Sequence, residues 1–244
     1  MKITAIIEAR MTSSRLPGKV LMKVDNKSFL QILVERLRKV SLIDDIVLAT
    51  TINNSDDILI EHCNELDIKY FRGSEDDVML RVLNAANEYN SELIVGITAD
   101  CPFIDPMIID QIIKIYLNNN ADYISNCVVR SYSDGMDVQV YRNEILEKSE
   151  SMTINRLDRE HVTLHIRNNA HLFSQINVIC PENIYWPELG VTLDEQKDFV
   201  FLTEIYKILY PKDNFFSCLD IVNCIKQNPW LLEINNSVVR KGDS

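Results

Sequence analysis

Short apolar runs alternate with amphipathic stretches through the first half of the chain. Ile3–Glu8 reads as a buried strand, and Phe29, Ile32, Leu33, Arg36 and Leu37 then recur at helical spacing. Ile46 to Ala49 is the next strand, Asp56 to Leu66 a helix with Ser55 as its cap, and Ile68 to Phe71 a short strand. Val78, Leu80, Val82, Leu83, Ala86 and Tyr89 mark a helix, Leu93 to Ile97 a fully apolar strand, and Ile108 to Leu117 a helix opened by Asp105-Pro106. Ala121 to Ser125 is again strand-like. This βα alternation predicts a mainly parallel sheet with helices on both faces.

The pattern changes after residue 125. Gly135 to Tyr141 reads as a turn and strand, Glu144 to Glu150 and Leu157 to Arg167 as helices, and Leu172 to Val178 as a strand able to form an antiparallel arm. Asp194 to Tyr210 is a strongly amphipathic helix with Phe199, Leu202, Ile205 and Leu209 inside, and Val222 to Leu231 closes the fold. There is no internal repeat and no Gly/Ser linker, so 1–244 is expected to be one α/β domain with a small insertion near 126–190.

The chemistry concentrates where the first strand ends. Glu8-Ala9-Arg10-Met11-Thr12-Ser13-Ser14-Arg15-Leu16-Pro17-Gly18-Lys19 packs three cations and three hydroxyls into one loop. Open α/β sheets bind ligands beyond the carboxyl ends of their strands. The forked donors of arginine and the mobile charge of lysine suit a polyphosphate, and backbone N–H groups add further donors. On these residues alone a solvated basic turn is the alternative. The loop is neither a Walker P-loop, since Val20 follows Gly18-Lys19, nor a G-x-G-x-x-G fingerprint. Side chains must therefore carry much of any phosphate contact.

Net charge of −11 argues against a chain that binds nucleic acid or anionic membrane as a whole, and makes the local basic loop more telling. No apolar run approaches the roughly 18 residues of a membrane span, and the N-terminus lacks a signal-peptide pattern. Six cysteines (63, 101, 127, 180, 218 and 224) show no CxxC spacing, which predicts reduced, buried thiols in a cytoplasmic protein.

Four other clusters stand out. Asp100, in Thr98-Ala99-Asp100-Cys101-Pro102, follows the strand 93–97 on the same rim as the basic loop, where it is either a turn residue or an oxygen ligand for Mg2+. Asp194, in Val191-Thr192-Leu193-Asp194, is either the cap of the next helix or a second carboxylate ligand. In Phe71-Arg72-Gly73-Ser74-Glu75-Asp76-Asp77-Val78, Ser74 reads as a helix cap followed by acids that favour the positive N-terminus. In Asp158-Arg159-Glu160-His161-Val162-Thr163-Leu164-His165, the two histidines lie four apart, a spacing able to present both to a metal, but HExxH is absent.

Ala9 through Lys19 matches A-R-M-x-S-x-R-L-P-G-K at every defined position. On this loop the chain resembles the cytidylyltransferase-like family of spore coat polysaccharide biosynthesis protein F. It is more distantly similar to acylneuraminate and 3-deoxy-manno-octulosonate cytidylyltransferases. Position 8, more often Gln or Pro in such proteins, is Glu8 here. The resemblance implies a Rossmann-like, three-layer nucleotidyltransferase fold and transfer of a nucleotidyl group from CTP to a sugar or phosphorylated acceptor, with release of pyrophosphate. It implies that Ala9, Arg10, Ser13, Ser14, Arg15 and Lys19 wrap the triphosphate, with Arg10, Arg15 and Lys19 on the β- and γ-phosphates. It further implies Mg2+ on Asp100 and Asp194, contacts from Arg72 and Ser74 to base or ribose, and Arg130, Asp137, Arg159 and His161 at the acceptor or at a homodimer partner. Cytosine preference comes from the resemblance alone. The rivals are a nucleotide-sugar glycosyltransferase, for which Asp100-Cys101-Pro102 lacks the second Asp of D-x-D, and a non-catalytic nucleotide-binding protein.

Overall fold

The computed structural model describes residues 1–240. Its main sheet has seven strands: β1 (Ile3–Glu8), β4 (Asp45–Thr51), β5 (Lys69–Gly73), β6 (Leu93–Thr98), β7 (Tyr123–Ser125), β8 (Gln139–Arg142) and β9 (Gln175–Asn177). Their spatial order is β5-β4-β1-β6-β8-β7-β9. A two-stranded hairpin, β2 (Lys23–Val24) with β3 (Lys27–Ser28), sits apart. β5, β4, β1 and β6 pair in parallel, β8 runs antiparallel to both β6 and β7, and β7 pairs in parallel with β9. Only β8 is therefore reversed, as expected of a mainly parallel sheet.

Alternate residues of the central strands feed two separate cores, because successive side chains point to opposite faces. Ala5, Ile7, Leu48, Val95 and Ile97 face one core. It is filled by α1 (Phe29–Leu37), α4 (Pro106–Leu117), α8 (Gln196–Leu209) and α9 (Cys218–Gln227). Ile6, Val47, Ala49 and Ile94 face the other, with α3 (Val78–Glu88) and α5 (Asn143–Met152). That burial on both faces is why β1, β4 and β6 read as unbroken apolar runs. Asp105 caps α4 through Met107 N at 2.8 Å, with Pro106 in the first turn as expected.

Several local expectations give way to packing. The stretch 157–167 is two short helices, α6 (Arg156–Glu160) and α7 (Leu164–Asn168), not one. Between them the backbone turns at Val162, φ 35°, so that Val162 and Thr163 are buried. His161 and His165 consequently do not share a helix face, and among the described residues no three His, Cys, Asp or Glu groups cluster to hold a metal. Leu172 to Val178 contributes only the short β9, which extends the main sheet in parallel rather than forming an antiparallel arm. Ser55 lies within a 3-10 turn (Asn54–Asp56) and does not cap α2 (Asp57–Glu65). Asp77, not Ser74, caps α3 through Leu80 N at 3.0 Å. All six cysteines are buried and unbridged. No helix among the described residues is long and apolar enough to cross a membrane.

Candidate active site

The basic loop leaves β1 at the carboxyl edge of the sheet and closes on itself at one residue. Met11 N donates to the Asp56 carboxylate at 2.8 Å, and Met11 O accepts from Gly18 N at 2.9 Å. Gly18 has φ 71°, a left-handed conformation that glycine adopts without cost, and a Cβ there would press on the Met11 side chain. Asp56 is fully buried and also accepts from Thr50 Oγ1 and Thr51 N at the end of β4. These bonds hold its carboxyl below the ordinary value despite burial. The loop is thus fastened to the neighbouring strand by a carboxylate that no motif in the sequence singles out. Glu75 fastens the same loop from the other side, accepting from Arg10 Nη1 at 3.2 Å, Thr12 Oγ1 at 2.6 Å and Asn53 Nδ2 at 2.6 Å.

Past the closure, Lys19 opens a short 3-10 turn (Lys19–Leu21) and reaches into the sheet edge. Its Nζ lies 2.9 Å from Asp100 Oδ2 and 2.9 Å from Asp194 Oδ1. Arg15 Nη2 is 2.7 Å from the same oxygen of Asp194. Two carboxylates separated by almost a hundred residues thus meet on one cation. Leu193 N donates to Asp100 O at 2.8 Å and ties the two acidic loops together. Burial disfavours charge on both Lys19 and Asp100, but their mutual attraction outweighs it: the ammonium is held above its ordinary pKa and the carboxyl below. Asp194 does not cap α8. Glu195 occupies that position, and the buried Asp198 accepts from Asp194 N at 3.2 Å and Glu195 N at 2.9 Å. Arg240 spans Asp198 at 2.7 Å and Thr192 Oγ1 at 2.9 Å, completing the support behind Asp194.

These groups line a cleft of about 330 Å³ bounded by Glu8, the loop 9–19, Arg81, Thr98, Asp100, Glu160, His161 and Asp194. Ala9, Arg10, Ser13, Ser14, Arg15, Lys19, Asp100 and Asp194 all lie on its wall. Arg15 Nη1 is buried there with no hydrogen-bond partner among the described residues, a donor set suited to an anionic ligand. A smaller annex of about 150 Å³ shares Glu8, Thr98, Glu160 and His161 with the cleft and adds Arg130, Asp137, Gln139 and Arg167. Arg130 faces Asp134 at 3.6 Å and Asp137 at 3.3 Å.

Three expected contacts fall outside both spaces. Arg72 is committed to Thr51 O, Asn53 O and Asp57, each within 2.8 Å, and braces the turn after β4. Ser74 accepts from Asp77 N at the start of α3. Arg159 joins Asp77 to Glu150 and staples α6 to α3 and α5. Cys101, beside Asp100, is buried, and burial and the neighbouring carboxylate push its thiol pKa up, which disfavours the reactive thiolate.

Residues 4–237 match the family model described as Cytidylyltransferase. The chain belongs to the cytidylyltransferase family. It is 36% identical to uncharacterized protein MJ1063 of Methanocaldococcus jannaschii, over 99% of this chain and 97% of that protein. It is 30% identical to spore coat polysaccharide biosynthesis protein SpsF of Bacillus subtilis, over 93% and 95%. The structure of a cytidylyltransferase from Leptospira borgpetersenii superposes with a TM-score of 0.91 at 30% identity, covering 99% of this chain and 100% of that one. The nucleotidyltransferase fold and enzyme class expected from the loop Ala9–Lys19 hold for this cytidylyltransferase.

Glu8 ends β1 on the wall shared by cleft and annex. Burial is the main influence on it; Arg81 opposes and Asp100 reinforces, and the carboxyl rises from 4.5 to about 7. Because the native protein keeps this proton when the unfolded chain has lost it, stability falls as pH rises from about 4.5 to about 7, then levels off. Glu8→Gln is expected to flatten that part of the profile and to be more stable than wild type at pH 8. Urea unfolding of both proteins at pH 5 and pH 8 measures it; a parallel pH profile would contradict the assignment.

Proposed function

We propose that this cytidylyltransferase binds the triphosphate of CTP in the cleft and an acceptor sugar or sugar-like molecule in the annex, in a pathway of surface polysaccharide synthesis. The observation that carries the reading is Lys19 Nζ lying 2.9 Å from both Asp100 and Asp194 on the wall lined by the basic loop. It supports the reading because the cationic side chains lie next to paired carboxylates, a set suited to a polyphosphate with a divalent ion. Family membership supports CTP, and the name of the SpsF relative supports the pathway.

In the proposed reaction an acceptor oxygen attacks the α-phosphorus, the bond to the bridging oxygen breaks, and pyrophosphate leaves in line. Arg10, Arg15 and Lys19 hold the departing phosphates, where charge builds as the bond breaks, so their attraction grows toward the transition state. Ser13 and Ser14 add hydroxyl donors. Arg130, Asp137 and His161 position the acceptor, converting a bimolecular encounter into an oriented one. The residues fit a hard dication: Asp100 and Asp194 already share one cation, and Mg2+ takes one or two carboxylates with substrate phosphates. When bound, Mg2+ would neutralise phosphate oxygens and polarise the phosphorus.

The test is a matrix of nucleoside triphosphates against sugar 1-phosphates, 2-keto sugar acids and other phosphorylated acceptors, read as pyrophosphate release. CTP with one acceptor class is expected to give turnover. Turnover with a purine triphosphate in preference to CTP, or acceptor-independent release, would refute the reading.

A further inference from the structure

Lys19 stands where the proposed metal would bind. Its Nζ makes equal 2.9 Å contacts with Asp100 and Asp194, its side chain is only 12% exposed, and it is the cation paired with Asp100. Asp194 also faces Arg15 at 2.7 Å and Arg240 at 3.8 Å, whereas among the described residues Asp100 pairs with Lys19 at 2.9 Å. A divalent ion needs those carboxylate oxygens at about 2.0–2.1 Å. It cannot share them with the Lys19 ammonium, and Arg15 must likewise give up the Asp194 oxygen it contacts, since two cations in contact repel strongly in a buried site.

We propose that Lys19 is a resident substitute for the divalent cation, holding Asp100 and Asp194 together in the nucleotide-free enzyme and ceding them only when a triphosphate offers it another anion. This rests on the reading of Asp100 and Asp194 as the metal ligands. Lysine suits the role because its charge is a compact point on a flexible four-carbon stem, free to swing between partners on one cleft wall. The nucleotide and the metal are then coupled through Lys19: each makes the other bind more tightly, by the same factor, of the order of 5–150-fold for couplings of this kind.

Mn2+ is the probe, titrated without nucleotide and followed by the electron paramagnetic resonance signal of the free ion. Lys19→Met is expected to bind Mn2+ about tenfold or more tightly than wild type, within that range of couplings. Lys19→Met/Asp100→Asn is expected to lose the gain. Equal Mn2+ affinity in wild type and Lys19→Met, whether tight or weak, overturns the exchange. Lys19→Gln, which keeps a polar end, gives the same comparison if the methionine variant does not fold without metal. A separate arm tests the underlying reading: Mn2+ bound to the wild-type CTP complex is expected to weaken in Asp100→Asn. If that weakening is seen while wild type and Lys19→Met bind Mn2+ alike, the metal assignment stands and the exchange falls. If Asp100→Asn leaves the CTP complex unchanged, the metal assignment itself is wrong.

Discussion

Lys19→Met is expected to lower kcat/KM for CTP by roughly 10²–10³-fold, the range seen when one preorganised donor to developing charge is removed. Among the described residues Lys19 is the group of the basic loop that pairs with both Asp100 and Asp194, so its loss removes a cation of the cleft wall and the bridge between the two acids together. The fold is expected to survive, because the two cores and the loop closure at Met11–Gly18 do not involve its side chain. Steady-state kinetics alongside circular dichroism test this. Activity within a few-fold of wild type would remove Lys19 from the mechanism.

Asp100→Asn and Asp194→Asn are each expected to cost about 10² or more in kcat, and the double variant little more than either alone. Residues that act as a unit lose their joint contribution once, not twice. Here the unit is visible: the two oxygens converge on one Nζ, and Leu193 N on Asp100 O at 2.8 Å holds their loops at a common spacing. Asparagine keeps the size of each side chain while removing the charge a hard dication requires. Losses that multiply in the double variant would mean that the two carboxylates act on separate steps.

The parts of this site visible from the sequence are those set by periodicity and position. Apolar runs with period-two faces placed β1 and β6 in the sheet interior, which put Arg10–Lys19 and Asp100 on one rim. The convergence of Asp194 followed from family resemblance, because nothing in local spacing joins it to a residue 94 positions earlier. Arg72, Ser74 and Arg159 lie outside the cleft and the annex for a different reason. Their side chains engage neighbours such as Asp57 and Asp77, and only coordinates reveal which partner takes a side chain. The break in 157–167 escaped because the tertiary pull on Val162 and Thr163 outweighs a helical pattern that is weak at two β-branched residues. Asp56 and Glu75 carried a faint signal: acids just beyond β4 and β5, on the same rim as a basic loop whose backbone needs acceptors.

Transfer of the α-phosphorus from CTP is the central claim, and CTP labelled at that atom tests it most directly. Incubated with an accepted sugar substrate, the wild-type enzyme should move the label into a CMP–acceptor conjugate, with one unlabelled pyrophosphate released per turnover and almost none of either from Asp100→Asn. Label recovered as a nucleoside diphosphate, or CTP bound without any conjugate from every acceptor class, would contradict it.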